Sequence, residues 1–295
     1  MKLSILIPTY KRNESLKIAV KSILEQNSNI DYEIIISDND KNNIETKNDI
    51  EKWSKNIIYI LQQENLGMAG NWNYLIKVAN GTHIMFLHDD DYLLPNCFKI
   101  LKEEIKKNPD KAIRIHYLIY NKINNNIVGR KKIRFFNKYI YNYELYISNI
   151  IGPPCGIVIE SKIAKKEQFD NKYYPSLDYE WYFRIFKHTE FIRSTYAGWV
   201  YVYENNESLK ESTLKGFIKM DKKIKKVHNK RKPSLQYLIR LFLSKVSIEL
   251  QKKYISKNHN IKIHYSTIIA AIENIIIKII YLFKIILSIL YYIYR

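Results

Sequence analysis

Three consecutive aspartates are the residues of this chain whose type and spacing most directly indicate chemistry. Asp89, Asp90 and Asp91 follow an apolar run at 82–88, and such a run predicts a buried strand. In open α/β sheets, ligands bind at the carboxyl ends of the strands. Adjacent carboxylates repel one another unless a cation joins them, and Mg²⁺ binds one or two carboxylates together with phosphate oxygens. The triplet therefore indicates a divalent cation holding a diphosphate, although a solvated acidic turn that caps the next helix has the same composition.

The elements around the triplet must bring its carboxylates to a sheet edge. Strands and helices alternate regularly in the first half of the chain, which predicts βαβ units and a mainly parallel sheet flanked by helices. The class is therefore α/β, with residues 1–205 as one domain. Apolar runs predict strands at 3–7, 33–37, 57–61 and 83–87, with helical patterns at 14–26, 45–54, 67–78 and 95–107. A hairpin at 112–134, a rigid turn at 152–156, a helix at 178–187 and strands near 192–203 follow.

Composition narrows the class of protein. The chain has 295 residues, of which 46% are hydrophobic, so it can form a large core and is not globally disordered. Its two cysteines, Cys97 and Cys155, are expected to be free thiols in a reducing compartment and not a disulfide scaffold or a zinc site. The first apolar run is short and is broken by Pro8, which argues against a signal peptide. We therefore expect a cytoplasmic protein.

The basic residues are concentrated in the last third of the chain. The formal net charge is +19, and residues 206–295 carry 19 Lys/Arg against five Asp/Glu. This asymmetry indicates an anionic partner, either nucleic acid or a membrane surface. At 266–294 an apolar face is interrupted by a polar arc that includes Lys278 and Lys284, so this segment is predicted to lie in the membrane interface as an amphipathic helix. Packing of the helix on the first domain or on a second copy is the alternative.

Five ordered segments resemble the family 2 glycosyltransferases over roughly residues 1–205. They are SILIPTYKR at 4–12, IIISDND at 34–40, ENLGMAGNWN at 64–73, FLHDDDYLLP at 86–95 and LDYEWYFR at 177–184. Each segment is modest alone, and their order makes the set specific. The resemblance implies a GT-A-type (Rossmann-like) fold, here followed by the basic helical extension. It also implies inverting transfer of a sugar, with a UDP-sugar as the expected donor and a glycan or lipid-linked hydroxyl as the acceptor, in the assembly of a bacterial surface polysaccharide such as O-antigen or capsule.

The same resemblance implies roles for individual residues. Asp90 matches the metal ligand, with Asp89 and Asp91 as supporting candidates for a Mg²⁺ or Mn²⁺ site. Asp178 matches the general base, with Glu180 as the second candidate, and an N-cap is the structural alternative for Asp178. Nucleotide-sugar contacts are implied for Pro8, Thr9, Tyr10, Arg12, Asp38, Asn65, Gly67, Asn73, Asp89 and Asp90.

Two positions depart from the family pattern. Many members carry an Asp where His88 stands, and many carry a Glu where Leu177 precedes the base. Asp38 matches a residue that contacts the base or ribose in relatives, but a turn cap explains an aspartate at this place as well.

Two other functional classes fit parts of the sequence. A sugar nucleotidyltransferase would need a Gly-rich loop after the first strand, and residues 9–13 contain no glycine. A nucleic-acid-binding protein would carry its basic residues around aromatic platforms on the folded domain, whereas here they lie beside the apolar segment at 266–294. We therefore expect an anionic membrane surface, and no nucleic acid, as the partner of the extension. The enzyme is expected to be peripheral on the inner face of the cell membrane.

Overall fold

The computed structural model describes residues 2–129, 138–204, 210–229 and 235–258. The amphipathic helix expected at 266–294 lies outside these residues. Within them, no helix combines the length and the apolar character that a bilayer-crossing segment needs.

The first half of the chain alternates strands and helices. Its elements are β1 (Lys2–Thr9), α1 (Asn13–Leu24), β2 (Asp31–Asp38), α2 (Ile44–Glu51), β3 (Ile57–Leu61), α3 (Gly67–Val78) and β4 (His83–Phe86). Strand β1 pairs in parallel with β2 and β4, and β3 pairs in parallel with β2. Since parallel neighbours need a crossover connection, the predicted βαβ units are confirmed for this half.

The second half adds antiparallel strands to the same sheet. Its elements are β5 (Tyr92–Leu93), α4 (Cys97–Lys107), β6 (Ala112–Asn121), β7 (Asn126–Val128), β8 (Tyr139–Ile140), β9 (Ile157–Glu160), α5 (Ser161–Lys166), α6 (Leu177–Ile185) and β10 (Phe191–Tyr203). The strand order is β3-β2-β1-β4-β9-β6-β10-β5. Strand β9 runs antiparallel to both β4 and β6, while β10 is parallel to β6. The predicted α/β class is confirmed, and the sheet is mixed, with its parallel strands mostly on the N-terminal side.

Helices cover both faces of the sheet, which explains why its central strands are apolar throughout instead of alternating. On β1, Leu6 joins one core layer with Trp72 of α3 and Trp181 of α6. Ile5 points to the opposite layer, where it joins Leu16 of α1. The two cysteines are buried free thiols within these layers, as the sequence predicts.

Two long helices follow the domain, α7 (Glu211–His228) and α8 (Leu235–Asn258). Helix α7 packs on α6, and α8 packs on α7 and on the 3-10 helix Asn142–Tyr146. Helix α7 approaches the loop before α6 closely, because a Cβ added at Gly216 would lie 3.0 Å from Cδ of Pro175. The described part of the basic extension is therefore packed against the loops that surround α6.

Candidate active site

A cavity of about 1110 Å³ opens beyond the carboxyl ends of β1 and β4. Residues that follow strands line one side, which we call the sheet end: Thr9, Arg12, Asn39, Asp89 and Asp90. Residues of the two C-terminal helices and of the loop before α6 line the other side, which we call the helix end: Ser176, Phe217, Asp221, Lys225, Gln251 and Tyr254. The cavity thus joins two structurally different walls around one space.

The sheet end is organised by contacts between the loop after β1 and the aspartate triplet. The hydroxyl of Thr9 donates to Oδ2 of Asp89 at 2.8 Å. The guanidinium of Arg12 pairs with Asp90 and lies 3.7 Å from Oδ1 of Asp89. Pro8 and Tyr10 also line the cavity. The structure therefore brings together the first and fourth of the motif segments as the sequence predicts.

The pKa of the Asp89 carboxylate lies above its ordinary value. Burial raises its pKa to about 6, and the neighbouring charge of Asp90 acts in the same direction, while the hydrogen bond from Thr9 and the charge of Arg12 oppose the rise. A buried carboxylate of this kind is stabilised in its charged form by any added cation.

The donor set at the sheet end fits a hard divalent cation. Asp90 and Asp89 present carboxylate oxygens to the cavity, and Mg²⁺ and Mn²⁺ bind such oxygens. The two like charges already hold one cation, the guanidinium of Arg12. The residues present therefore fit the metal that the triplet indicates, with Asp90, whose side chain is 23% exposed, as the more accessible ligand.

Asp91 occupies a different environment from its two neighbours. Asp91 is buried and does not line the cavity, and its Oδ1 accepts a hydrogen bond from the backbone N–H of Val202 at 2.9 Å. Its Oδ2 and Nε2 of His88 have no hydrogen-bond partner among the described residues. Ligand atoms of His88, Asp91 and Cys155 lie within 4.8 Å of one another. The guanidinium of Arg114, which donates to the carbonyl of Cys155, faces this group and supplies its positive charge.

Asp38 lies behind the sheet end instead of in it. It is fully buried, and its Oδ2 accepts hydrogen bonds from Tyr59 and Asn43, each at 2.7 Å. Its Oδ1 accepts from the N–H of Asp40 at 2.8 Å. These bonds fix the turn that places Asn39 in the cavity wall, so the geometry matches the turn-cap alternative for Asp38.

Of the three nucleotide-sugar candidates in or next to α3, two line the cavity and one does not. Asn65 and Gly67 line the cavity, and Gly67 has φ of +67°, a conformation that favours glycine. Asn73 faces away, with its amide donating to and accepting from the backbone of Phe169 at 2.9 and 2.8 Å. Asn73 therefore holds a loop beside the cavity and does not line it.

Four residues that line the cavity at or beside the sheet end do not appear among the sequence candidates. Asn71 donates to the carbonyl of Ser37 at 3.0 Å, and its Oδ1 is buried without a partner among the described residues. Trp72 stacks on His88 with ring centroids 6.0 Å apart and an angle of 18°. The other two are Asn39 and Met68. Asn71 and Trp72 lie inside a motif segment, but helical periodicity alone assigns Trp72 to the core, which it also joins.

Asp178 lines the same cavity as the sheet end and the helix end. It is the second residue of α6, and Ser176 holds the N-cap position. Its Oδ2 accepts from the amide of Asn149 at 2.9 Å, and its Oδ1 accepts from the N–H of Tyr179 at 2.8 Å. Burial raises the pKa of Asp178 to about 7, and those two hydrogen bonds oppose the rise. A carboxylate with this pKa suits proton abstraction near neutral pH.

Glu180, the second candidate base, points away from the cavity. It is 3% exposed, and it pairs with Arg184 at 2.9 Å and with Nε2 of His228 at 3.1 Å. Its two partners occupy both carboxylate oxygens. Glu180 therefore ties α6 to α7, and Asp178 is the carboxylate of this segment that reaches the cavity.

The helix end contains two charged side chains that the sequence candidates do not include. Asp221 accepts from the hydroxyl of Ser176 at 2.8 Å and from the amide of Gln251 at 3.0 Å. Lys225, one turn later on α7, donates to the carbonyl of Ile147 at 3.2 Å and to the hydroxyl of Ser247. Burial lowers the pKa of Lys225 to about 8. In sequence they sit among many lysines, and only the packing of α7 reveals that they face the cavity.

Comparisons with solved structures show the fold. A crystal structure of residues 1–349 of S. aureus TarS matches with a TM-score of 0.65 at 14% identity, covering 88% of this chain and 74% of that chain. The same protein in complex with UDP-GlcNAc matches with a TM-score of 0.64 at 17% identity. The GT-A-type fold expected from the sequence is therefore confirmed.

Curated relatives are similar in sequence to parts of this chain. An uncharacterized glycosyltransferase of Methanocaldococcus jannaschii is 27% identical over 189 residues, 61% of this chain and 63% of its own length. The GalNAc(5)-diNAcBac-PP-undecaprenol beta-1,3-glucosyltransferase of Campylobacter jejuni is 37% identical over 107 residues, 35% of this chain and 34% of its own length. The chain thus matches less than two thirds of the length of either relative.

The family model agrees with these likenesses and with the residues at the sheet end. The model of "Glycosyl transferase family 2" matches residues 4–188, a span that contains all five motif segments, both acids of the sheet end and Asp178. Helices α7 and α8 follow the matched span. The chain belongs to glycosyl transferase family 2.

Proposed function

We propose that this protein is an inverting, metal-dependent glycosyltransferase that moves a sugar from a UDP-sugar to a hydroxyl of a glycan or lipid-linked acceptor. One observation carries the proposal: a single cavity contains the Asp89–Asp90 pair at a strand end and the carboxylate of Asp178, whose pKa burial raises to about 7. The first pair suits a diphosphate with its cation, and the second group suits proton abstraction.

Asp178 performs the proton transfer in this proposal. Its carboxylate takes the proton of the acceptor hydroxyl as the hydroxyl oxygen forms a bond to C1 of the donor sugar, and the C1–O bond to the diphosphate breaks. Because the attack comes from the side opposite the leaving group, the configuration at C1 inverts. An α-linked donor therefore gives a β-linked product. Asn149 holds Asp178 in place through its 2.9 Å hydrogen bond.

The sheet end receives the charge that develops on the leaving diphosphate. Asp90, with Asp89, would hold Mg²⁺ or Mn²⁺, which would supply Lewis-acid neutralisation of this charge. The guanidinium of Arg12 lies beside both carboxylates and can bind phosphate oxygens through charge-assisted hydrogen bonds. Asn39 and Asn65 supply further polar groups in the same wall.

Named relatives support the donor and acceptor classes. TarS, whose fold this chain shares, has been crystallised with UDP-GlcNAc and with UDP. The partial relative from Campylobacter jejuni carries an undecaprenol diphosphate glycan in its name, and an Escherichia coli relative, 30% identical over 128 residues, is named as a UDP-Glc:alpha-D-GlcNAc-diphosphoundecaprenol beta-1,3-glucosyltransferase. These names favour a lipid-linked acceptor in surface polysaccharide assembly for this chain.

A location at the inner face of the cell membrane fits the exposed side of α7. Five exposed lysines fall within an arc of about 100° when each helical residue turns by about 100°; they are Lys215, Lys219, Lys222, Lys223 and Lys226. An anionic lipid surface attracts such a stripe by about 1 kcal/mol per lysine. The full chain is expected to sediment with phosphatidylglycerol vesicles in low salt but not with phosphatidylcholine vesicles.

A charge-reversal pair tests this location. Changing Lys222, Lys223 and Lys226 to Glu should abolish the sedimentation, whereas the same change at the exposed α4 residues Lys102, Lys106 and Lys107 should leave it unchanged. Equal sedimentation of the two triple variants would contradict the membrane assignment to α7.

The enzymatic proposal is tested by UDP release. The full chain is incubated with UDP-glucose, UDP-galactose or UDP-GlcNAc, with Mg²⁺, with Mn²⁺ or with EDTA. We expect slow, metal-dependent UDP release from at least one donor, which Asp90→Asn abolishes. The half-buried acid Asp49 of α2, whose side chain is 47% exposed, provides the control variant Asp49→Asn. Metal-independent release, or full release by Asp90→Asn, would contradict the proposed role of the sheet end.

A further inference from the structure

The helix end of the cavity has a chemical character of its own. Apart from the loop before α6, it is built by α7 and α8, which lie beyond the matched family span at 4–188. The hydrogen bond from Ser176 to Asp221 places this end directly beside Asp178, two residues further along. A hydroxyl presented to Asp178 would therefore belong to a molecule that occupies the helix end.

Two oppositely charged side chains form the polar part of this wall. Asp221 is 7% exposed and Lys225 is 4% exposed, and both line the cavity. Two of the three N–H donors of Lys225 go to Ile147 and Ser247, which leaves one for a ligand among the described contacts. Oε1 of Gln251, whose amide donates to Asp221, is buried without a hydrogen-bond partner among the described residues. The wall thus offers both a donor and an acceptor to a polar ligand.

Aromatic rings complete the same wall. Tyr254 is 62% exposed and Tyr174 is 45% exposed, and both line the cavity together with Phe217. The faces of sugar rings carry C–H groups that are slightly positive, and these groups pack favourably on the negative face of an aromatic ring. Exposed rings around a few fixed polar groups are the composition expected of a small-molecule subsite.

From these observations we infer that the helix end is the acceptor subsite, and that it binds an uncharged sugar residue through Lys225, Asp221 and Gln251, with Tyr254 and Tyr174 packing on the sugar ring. This inference rests on the proposed transferase activity. The negative charge of Asp221 cancels the positive charge of Lys225, and Asp178 adds a second acid nearby. The carboxylates would therefore repel a phosphate or a uronic acid bound at this end. Hydroxyl groups, by contrast, can accept from the lysine and donate to the carboxylate.

Saturation-transfer NMR on the full chain tests the subsite without requiring the true acceptor. The probes are methyl β-glucoside, methyl β-galactoside, methyl β-N-acetylglucosaminide and methyl β-glucuronide, each with saturating UDP and Mg²⁺. At least one neutral glycoside should receive saturation, and the glucuronide should receive less. Lys225→Met should weaken binding of that neutral glycoside about tenfold, the effect of losing a hydrogen bond to a charged group.

Two further variants keep the test independent of folding. Tyr254→Ala removes an exposed ring. It should lower the affinity for the neutral glycoside, while the affinity for UDP stays within about twofold of wild type. The matched controls are Lys102→Met on α4, where Lys102 is exposed, and Tyr196→Ala on β10, where Tyr196 is 49% exposed. Neither residue lines the cavity, and neither variant should change the binding of the glycoside or of UDP.

The outcomes separate the two levels of the hypothesis. Absence of saturation transfer from every neutral glycoside, unchanged binding in both Lys225→Met and Tyr254→Ala, or tighter binding of the glucuronide would overturn the subsite. Failure of the wild-type chain to bind UDP would instead count against the proposed transferase, since UDP contacts the sheet end in that proposal.

Discussion

The two ends of the cavity differ in how the chain builds them. The sheet end comes from loops that directly follow β1, β2 and β4, which are adjacent strands of one parallel unit. The helix end joins segments from distant parts of the chain, such as Ile147, Ser176 and Gln251, through side-chain bonds made by α7. In the proposed function, strand ends would hold the diphosphate and its cation, whereas the packing of a helix outside the matched family span would determine what lies next to the proposed base, Asp178. Donor and acceptor recognition are therefore expected to respond to different substitutions.

The largest expected effect is at the boundary between the two ends. Asp178→Asn removes the proposed base and should lower kcat by about 10²–10⁴-fold, the usual contribution of general base catalysis. UDP binding should stay within about twofold of wild type, because the hydrogen bonds of Asp178 among the described residues go to Asn149 and to the N–H of Tyr179, and not to the aspartate triplet. The measurement is single-turnover transfer together with calorimetric UDP binding. A variant with near-normal kcat would remove Asp178 from the mechanism.

The next effect separates two neighbouring acids of the triplet. Asp90→Asn should lower metal-dependent UDP binding at least about tenfold and leave the melting temperature nearly unchanged, since the side chain is partly exposed. Asp91→Asn should do the reverse: the buried carboxylate accepts from Val202, and disturbing that bond should cost about 1–3 kcal/mol in the free energy of unfolding. Calorimetric UDP titration and urea unfolding give the two readouts. Equal loss of UDP binding in both variants would place Asp91 in the donor site.

The contrast between the two ends also marks what the sequence could predict. Asp90, Thr9 and Arg12 could be placed together because strand order and the carboxyl-edge rule bring their loops to one edge. Asp38 and Asn73 share the motif segments but turn inward, since a buried tyrosine and a backbone loop take their hydrogen bonds. Only tertiary packing distinguishes motif residues that line the cavity from motif residues that point into the protein.

Asp221 and Lys225 show the complementary limit. On a helix with many lysines, the pattern of the sequence favours a solvated or membrane-facing charge for both residues. Their burial depends on α7 lying against Ser176 and Ile147, contacts that span 45 and 78 residues of chain. Local sequence patterns do not specify contacts between residues so far apart in the chain, so the helix end could not be predicted from the sequence.

A smaller effect concerns the pH dependence of transfer. In the proposed mechanism Asp178 can accept a proton only when it is ionised, and burial raises its pKa to about 7. The value of kcat/KM should therefore be highest above pH 7 and should fall about tenfold per unit well below it. Asn149 donates to the carboxylate and lowers this pKa, so Asn149→Leu should move the midpoint to higher pH. A pH–rate profile of both proteins checks this, and an unchanged midpoint in the variant would show that another group controls the profile.

The smallest expected effect tests how tightly α7 determines the helix end. A Cβ at Gly216 would lie 3.0 and 3.1 Å from the ring carbons of Pro175, so Gly216→Ala should displace α7 by a few tenths of an ångström and raise KM for the acceptor about two- to threefold. The same change should favour the helix by about 0.5–1 kcal/mol, because alanine loses less backbone entropy than glycine. Acceptor affinity and thermal stability should therefore move in opposite directions, with donor KM unchanged. The exposed α7 residue Ser212 provides the control Ser212→Ala, which should raise stability without changing either KM. If Gly216→Ala raised the donor KM as much as the acceptor KM, the two ends of the cavity would not be separable.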